Sequence, residues 1–199
     1  MFYKKTLAIA MALMLTACSA NGGTSSSEAA SSSQSTAESA SSMQESNQPS
    51  LSKFTATDLE GNEVSQEIFA DADLTMINIW ATFCGPCLSE MPELGEISAE
   101  YKDRGVKVVG IVMDVLNSDG TISEEMVKTA KETVEKTGAA YQHLLPSDDL
   151  IAAKLKEVSA VPETFFVDKN GNIVGKSYMG AKSKDKWIAI IEETLKEVK

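Results

Sequence analysis

The chain has 199 residues, and its 29 acidic and 18 basic side chains leave a formal net charge of −11. This acidity argues against nucleic acid or an anionic lipid surface as a partner, because either would require a basic patch. Three cysteines and one histidine, His143, are too few for a structural zinc site once Cys18 is assigned to the amino-terminal motif described next. We therefore expect no metal ion or cofactor, and a structural role for His143.

The amino terminus has the pattern of an export signal. Lys4 and Lys5 precede an apolar stretch at 7–15, and small residues follow up to Cys18. The stretch is shorter than the roughly 20 residues that span a bilayer, so we predict a cleaved signal peptide at 1–17. The sequence Leu-Thr-Ala-Cys resembles the bacterial lipobox, which implies that Cys18 carries a lipid anchor on the outer face of the cell membrane. An ordinary secretory peptide is the alternative.

Residues 18–50 differ sharply from the rest of the chain, since thirteen of these thirty-three residues are serine and none is aromatic. Such a segment buries too little apolar surface to offset its chain entropy, so we predict a disordered tether. As a flexible coil, it would reach roughly 30 Å from the membrane surface.

Residues 51–199 match the usual size of one domain, and apolar strand patterns alternate with helical patterns, which is typical of an α/β fold. The predicted elements are a β-hairpin at 54–64, strands at 74–80, 106–113 and 141–145, helices at 86–101, 121–138 and 148–158, a second hairpin at 163–167 and 172–178, and a final helix at 184–198. The continuous apolar run at 74–80 predicts a central strand buried on both faces. Thr121 and Glu124 form the pattern of a capping box, and Gly138 marks the end of that helix.

Two cysteines separated by Gly85 and Pro86 follow the predicted central strand. Pro86 suits the first turn of a helix, where its missing N–H is not needed. Cys84 therefore begins that helix, where the helix dipole and unpaired N–H groups favour a thiolate, and we predict that it is the nucleophile. Cys87, one turn further along, is predicted to resolve the mixed disulfide formed at Cys84. A purely structural disulfide would constrain little chain across two intervening residues.

The motifs around this pair resemble those of one family. They are the string WATFCGPC at 80–87, Asn78 before the first cysteine, Glu90 and Pro92 after the second, the extra helix at 121–138, and the segment VPETFFVD at 161–168. This combination is similar to the TlpA/ResA-like branch of membrane-tethered, extracytoplasmic thiol-disulfide oxidoreductases. The resemblance covers nearly the whole domain. It implies an α/β thioredoxin-like fold, with a central mixed β-sheet flanked by helices, an N-terminal β-hairpin and a TlpA-type helical insertion.

The resemblance also implies roles for residues away from the cysteines. Pro162 matches the family's cis-proline, and Val161 matches the residue whose backbone pairs with the substrate, a main-chain mode of recognition. Glu90 matches an acidic residue of the family's active site, and its place one turn after Cys87 suits thiol tuning or proton relay. Asn78 stands where cytosolic thioredoxins carry a buried aspartate, and an amide cannot ionise.

Two aromatic side chains flank the motif, and two positions depart from the family pattern. Trp80 is expected to pack beside the dithiol and, with Phe83, to border the substrate. Phe83 replaces the tryptophan most often found before the first cysteine, and Glu163 occupies a position that is more often small or hydroxylated. Both departures are expected to alter substrate preference without altering the chemistry.

The function implied by the resemblance is that of a reductase outside the cytoplasmic membrane, and we expect a monomer. An oxidising compartment would leave the dithiol oxidised unless electrons arrive from across the membrane, so the implied donor is a membrane electron carrier of the CcdA or DsbD type. The implied acceptors are disulfides of apocytochrome c or of a methionine sulfoxide reductase. The opposite direction, disulfide formation by an oxidase of the same fold, remains open.

Three other classes of protein fit the residues less well. A peroxiredoxin needs a threonine three positions before its peroxidatic cysteine, whereas Thr82 is two before Cys84. A Sco-type copper-binding protein needs cysteines separated by three residues and a histidine at helical distance. A non-catalytic binding lipoprotein would have no use for an intact cysteine pair.

Overall fold

The computed structural model describes residues 50–199. The predictions for the signal peptide, for Cys18 and for all but the last residue of the serine-rich tether fall on residues 1–49, outside the described residues. Among the helices of the described part, none is both long enough and apolar enough to cross a membrane.

A five-stranded mixed sheet forms the centre of the domain. The β-strands of the described residues, which include a separate hairpin, are β1 (Thr55–Thr57), β2 (Glu63–Ser65), β3 (Leu74–Trp80), β4 (Val106–Val112), β5 (Gln142–Leu144), β6 (Glu163–Asp168) and β7 (Ile173–Met179). The α-helices are α1 (Gly85–Tyr101), α2 (Glu124–Thr137), α3 (Asp148–Ala153) and α4 (Lys184–Val198). The sheet has the order β5-β4-β3-β6-β7, with β3 parallel to β4 and antiparallel to β6, and β1 and β2 form a separate antiparallel hairpin. The predicted fold, including a helical insertion between β4 and β5, is confirmed.

Strand β3 lies in the middle of the sheet, and all seven of its residues are buried. Its side chains alternate between two hydrophobic cores. Met76 and Trp80 pack with α1 and α4 on one face, whereas Ile77 and Ile79 pack with α3 and the first residues of the domain on the other. The predicted double burial of this strand is confirmed, and it places the end of β3, where the cysteine motif begins, between the two layers of helices.

Helix α2 is the inserted helix, and its start differs from the prediction. Ser123, not Thr121, caps it, because Ser123 Oγ accepts a hydrogen bond from the N–H of Met126. The Thr121 hydroxyl instead donates to Asp119 across 2.6 Å in the preceding loop. The predicted capping box is therefore wrong. Gly138 ends the helix as predicted, with a φ of +67° that glycine adopts without strain.

The helix predicted at 148–158 is divided in the structure. α3 ends at Ala153, and a 3-10 turn covers Leu155–Glu157. Lys154 between them has a non-helical backbone, with φ −148° and ψ −44°. This break directs the Lys154 ammonium toward Glu163 at the start of β6, and the two groups form a buried ion pair.

Candidate active site

Cys84 and Cys87 form a disulfide at the amino-terminal end of α1, and their Cα atoms are 5.3 Å apart. Cys84 is the N-cap residue, and its Sγ accepts a hydrogen bond of 3.2 Å from the N–H of Cys87. Cys84 keeps 6% of its surface exposed, whereas Cys87 has none. An incoming thiol or disulfide therefore meets Cys84 first.

The local sequence explains why the helix begins at this point. Cys84 has an extended backbone, and Pro86 occupies the first turn, where a helix has unpaired N–H groups in any case. The N–H of Cys87 donates to the Cys84 sulfur, and the helix dipole adds positive potential there. Both effects stabilise a thiolate after reduction of the disulfide.

Asp114 fixes the turn between β3 and the cysteine motif. Its carboxyl oxygens accept hydrogen bonds of 3.0 Å from the N–H of Thr82, and one of them also accepts from the Thr82 hydroxyl at 2.5 Å. The hydroxyl proton of Thr82 is thus used within the loop rather than offered to Cys84. Sequence reasoning missed Asp114 because it follows β4, more than thirty residues later in the chain.

Glu90 lies in a buried polar network rather than on a solvated face of α1. One carboxyl oxygen accepts from Asn78 at 3.0 Å, and the other accepts from the Lys182 N–H at 3.1 Å and the Trp187 indole at 3.2 Å. Asn78 donates its second amide hydrogen to the Thr164 hydroxyl at 3.0 Å. Burial raises the pKa of Glu90, and the hydrogen bonds from its donors oppose part of that rise.

Three members of this network had no functional role in the sequence-based prediction. Thr164 belongs to the VPETFFVD segment, but nothing in its spacing indicates that it faces Asn78. Trp187 lies among the buried residues of α4, and the apolar period of that helix indicates only a core position. Lys182 contributes its backbone N–H, which almost every residue type has, so the identity of this residue did not indicate a role in the site.

Trp80 is completely buried, which corrects the prediction that it borders the substrate. Its indole N–H donates to His143 Nδ1 at 3.1 Å, and His143 Nε2 lies 3.0 Å from the Ala139 carbonyl. The predicted structural role of His143 is confirmed by these two contacts, which suit a neutral ring. Burial lowers the pKa of His143 to about 4. Trp80 supports the dithiol from within the core, because its position in β3 faces α1 and α4.

Phe83 is 78% exposed, and it borders a groove of about 520 Å³ next to the Cys84 end of the motif. The groove is lined by Ala81, Phe83, Met113, Asp114, Val158, Ser159, Ala160 and Val161. Most of these side chains are apolar, so the groove suits an uncharged segment of a partner. Phe83 and Val161 were predicted from the sequence to face the substrate, and the fold brings them to the same groove.

The peptide bond between Val161 and Pro162 is cis, as the resemblance implies. Pro162 is buried, and its carbonyl accepts a hydrogen bond of 2.9 Å from the N–H of Gly180. Among residues 50–199, neither the N–H nor the carbonyl of Val161 bonds to another residue. Val161 therefore presents backbone groups with which an extended peptide can pair.

Two proteins similar to this chain are named thiol-disulfide oxidoreductases. The thiol-disulfide oxidoreductase ResA of Bacillus thuringiensis subsp. konkukian is 27% identical over 145 residues, which are 73% of this chain and 74% of that protein. The protein of the same name from Oceanobacillus iheyensis is 33% identical over 116 residues, 56% of this chain and 54% of that protein.

The chain is also similar to a solved structure and to a protein-family model. The thiol:disulfide interchange protein of the thioredoxin family from Chlorobium tepidum TLS superposes with a TM-score of 0.61 at 23% identity, over 74% of this chain and 96% of that chain. At this identity the likeness concerns the fold. Residues 49–176 match the AhpC/TSA family. With its cysteine pair at the start of α1 in a thioredoxin-like fold, the chain is a thiol-disulfide oxidoreductase and belongs to the AhpC/TSA family.

Proposed function

We propose that the chain is a membrane-tethered, extracytoplasmic reductase of protein disulfides. One observation carries the proposal: Cys84 caps α1, and Val161, whose backbone groups bond to no other residue within 50–199, lies on the adjoining groove. A substrate segment that pairs with Val161 brings its disulfide to Cys84 in a fixed orientation. Because the pairing uses the main chain, it accepts substrates of varied sequence.

The reaction consists of two successive thiol-disulfide exchanges. The Cys84 thiolate attacks one sulfur of the substrate disulfide, forms a mixed disulfide and releases the first substrate thiolate. The Cys87 thiolate then attacks the Cys84 sulfur, releases the second substrate thiolate and forms the Cys84–Cys87 disulfide. Two electrons pass to the substrate. Cys87 must lose its proton before it attacks, and we assign Glu90, three residues along α1, as the base.

The amino-terminal pattern supports a location outside the cytoplasmic membrane. A signal peptide at 1–17, a lipid anchor at Cys18 and a tether at 18–50 would hold the domain at the outer face. Turnover in an oxidising compartment requires a supply of electrons, for which we propose a membrane donor of the CcdA or DsbD type. We propose disulfides of a methionine sulfoxide reductase or of apocytochrome c as the acceptors.

Trapping of mixed disulfides in cells tests this function. In a Cys87→Ser variant the second exchange cannot occur, so substrates should accumulate on Cys84 as adducts that dithiothreitol releases. A Cys84→Ser/Cys87→Ser variant is the matched control and should trap nothing. Adducts with exported proteins that contain cysteine pairs support the proposal. Failure of Cys87→Ser to trap more protein than the control contradicts it.

The reduction potential of the cysteine pair separates a reductase from an oxidase. We expect a value near or below about −270 mV, that of thioredoxin, in glutathione or dithiothreitol redox buffers. A value near about −120 mV, together with disulfide formation in a reduced protein, would instead identify the oxidase of the same fold. The anchor has a separate test, since a Cys18→Ser variant that stays membrane-bound would refute it.

A further inference from the structure

We infer that a buried ion pair between Lys154 and Glu163 positions the Val161–Pro162 segment for substrate docking. Lys154 Nζ lies 2.7 Å from Glu163 Oε1, and the two side chains are only 10% and 6% exposed. The inference rests on the proposed function, because it concerns the same docking segment. Lys154 and Glu163 are positioning residues, since they act on that segment through the backbone.

The pair joins the two ends of the docking loop, which we define as residues 155–162. Lys154 directly follows α3, and its N–H still bonds to a carbonyl of that helix at 3.0 Å. Glu163 is the first residue of β6, comes directly after Pro162 and is in register with Ile79 of β3. The ion pair therefore closes the docking loop at its base, where the helix and the strand meet.

The docking loop has few internal restraints of its own. Its 3-10 turn ends with a hydrogen bond of 3.1 Å from the Val158 N–H to the Leu155 carbonyl. Beyond this turn, residues 159–161 form no hydrogen bonds with any other residue of the described part. Val161 is held instead by the packing of its side chain against the hydrophobic cores and by the loop base, where the Pro162 carbonyl accepts from Gly180 and Glu163 pairs with Lys154.

Two successive residues of β6 are held on opposite faces of the sheet. Glu163 shares its face with Phe165, and Lys154 Nζ also lies 5.5 Å from the centroid of the Phe165 ring. Thr164 faces the other core, where its hydroxyl accepts the hydrogen bond from Asn78. Loss of the ion pair releases one face of the strand start, whereas the face that belongs to the Glu90 network stays in place. The expected defect is therefore in docking and not in the chemistry of the cysteines.

A charged pair at this depth requires both partners. Moving a carboxylate or an ammonium group from water into a buried site is unfavourable, and each charge is stabilised mainly by the other. Removal of one partner leaves the other as an unpaired buried charge. Because that charge is more stable in contact with water, the base of the loop should open. The pairing also accounts for Glu163 at a position that is more often small or hydroxylated, because Lys154 supplies its counter-ion.

The test compares a disulfide that can pair with Val161 and one that cannot. The first is an extended peptide whose single cysteine is disulfide-bonded to 2-mercaptoethanol, and the second is 2-hydroxyethyl disulfide, which has the same leaving group and no peptide backbone. We expect the reduced wild-type protein to react faster with the peptide. In Lys154→Met the rate constant for the peptide should fall about tenfold, while that for 2-hydroxyethyl disulfide changes by less than about twofold.

Two further variants separate positioning from general damage. Lys154→Arg keeps the charge and should retain the peptide rate, whereas Glu163→Gln keeps the side-chain shape and should lower it. Glu163→Gln decides the question if Lys154→Met does not fold. The inference is overturned if the peptide rate of Glu163→Gln is unchanged, or if it falls in parallel with the rate for 2-hydroxyethyl disulfide. A wild-type protein that reacts with neither disulfide contradicts the proposed function instead.

Discussion

The side-chain amide of Asn78 donates a hydrogen bond to Glu90 across 3.0 Å, in the buried layer between β3 and α1. The indole of Trp187 and the N–H of Lys182 donate to the other oxygen of the same carboxyl group. Because an amide does not ionise, Glu90 is the member of the Asn78–Glu90 pair that can exchange a proton. The contact thus joins Asn78, which can only hold its partner in place, to Glu90, which titrates.

Glu90→Gln should change the pH dependence of both reactivity and stability. Burial raises the pKa of Glu90 above its usual 4.5, so the stability that its protonated form contributes is present below that value and is lost as the pH rises through the raised pKa. Wild type should therefore lose stability relative to Glu90→Gln between acid and neutral pH, as measured by urea unfolding. The pH profile of Cys84 alkylation should shift as well. Glu93→Gln, three residues further along α1, serves as the control. If wild type and Glu90→Gln have the same pH profile of alkylation, the role assigned to Glu90 is refuted.

His143 should titrate far below an ordinary histidine. Its pKa is lowered by burial to about 4 in the folded protein, whereas the unfolded chain takes up a proton near 6.5. Stability should consequently be lost as the pH falls from 6.5 toward 4, by up to about 3 kcal/mol. His143 is the single histidine of the chain, so its ring resonances in an NMR pH titration report this value directly. A midpoint near 6.5 in the folded protein would contradict the buried arrangement.

Phe83→Ala should weaken substrate reduction without weakening the fold. The side chain is 78% exposed, so its loss should change the free energy of unfolding by less than about 0.5 kcal/mol. It borders the groove beside Cys84, and the few residues that dominate an interface each contribute more than about 1 kcal/mol. If Phe83 is one of them, the rate with a protein disulfide should fall roughly tenfold. Ile122→Ala is a matched control, because Ile122 is also an exposed apolar residue but lines other cavities. Equal effects of the two substitutions would argue against a substrate surface at Phe83.

Gly110→Ala should destabilise the domain strongly. A Cβ at Gly110 would lie 2.1 Å from His143 Nδ1, the atom that accepts the hydrogen bond of Trp80. The clash with a buried ring should cost about 3 kcal/mol in the free energy of unfolding. Gly85→Ala is the contrasting substitution, since a Cβ there meets nothing within 4 Å, and it should change stability by less than about 1 kcal/mol. Chemical denaturation of both variants tests the difference, and a stable Gly110→Ala would show that the ring can move aside.

Local sequence patterns predicted an element correctly where the pattern was compatible with only one secondary structure and one set of bounds. The bounds of β3 and α4 agree with the prediction, because a continuous apolar run and a helical apolar period each extend over the whole element. The predicted start of α2 was wrong, because both Thr121 and Ser123 are residue types that can cap a helix. The choice depends on the preceding loop, in which Thr121 bonds to Asp119 and a β-bridge joins Leu116 and Ile122.

The sequence by itself determined the chemistry of this protein. Cys84, Pro86 and Cys87 place a cysteine pair at the start of a helix, and this follows from residues that are neighbours along the chain. Only the tertiary structure decided the surroundings of that pair: the donors to Glu90, the burial of Trp80 against His143, and the Lys154 counter-ion of Glu163. For the first two the physical reason is distance along the chain, since Trp80 and His143 are 63 residues apart and Glu90 and Trp187 are 97 apart. Lys154 and Glu163 are close in sequence, but they meet only because α3 ends at Lys154 and β6 begins at Glu163. Such side chains meet only when the sheet register and the helix packing bring them together, and no local pattern encodes that meeting.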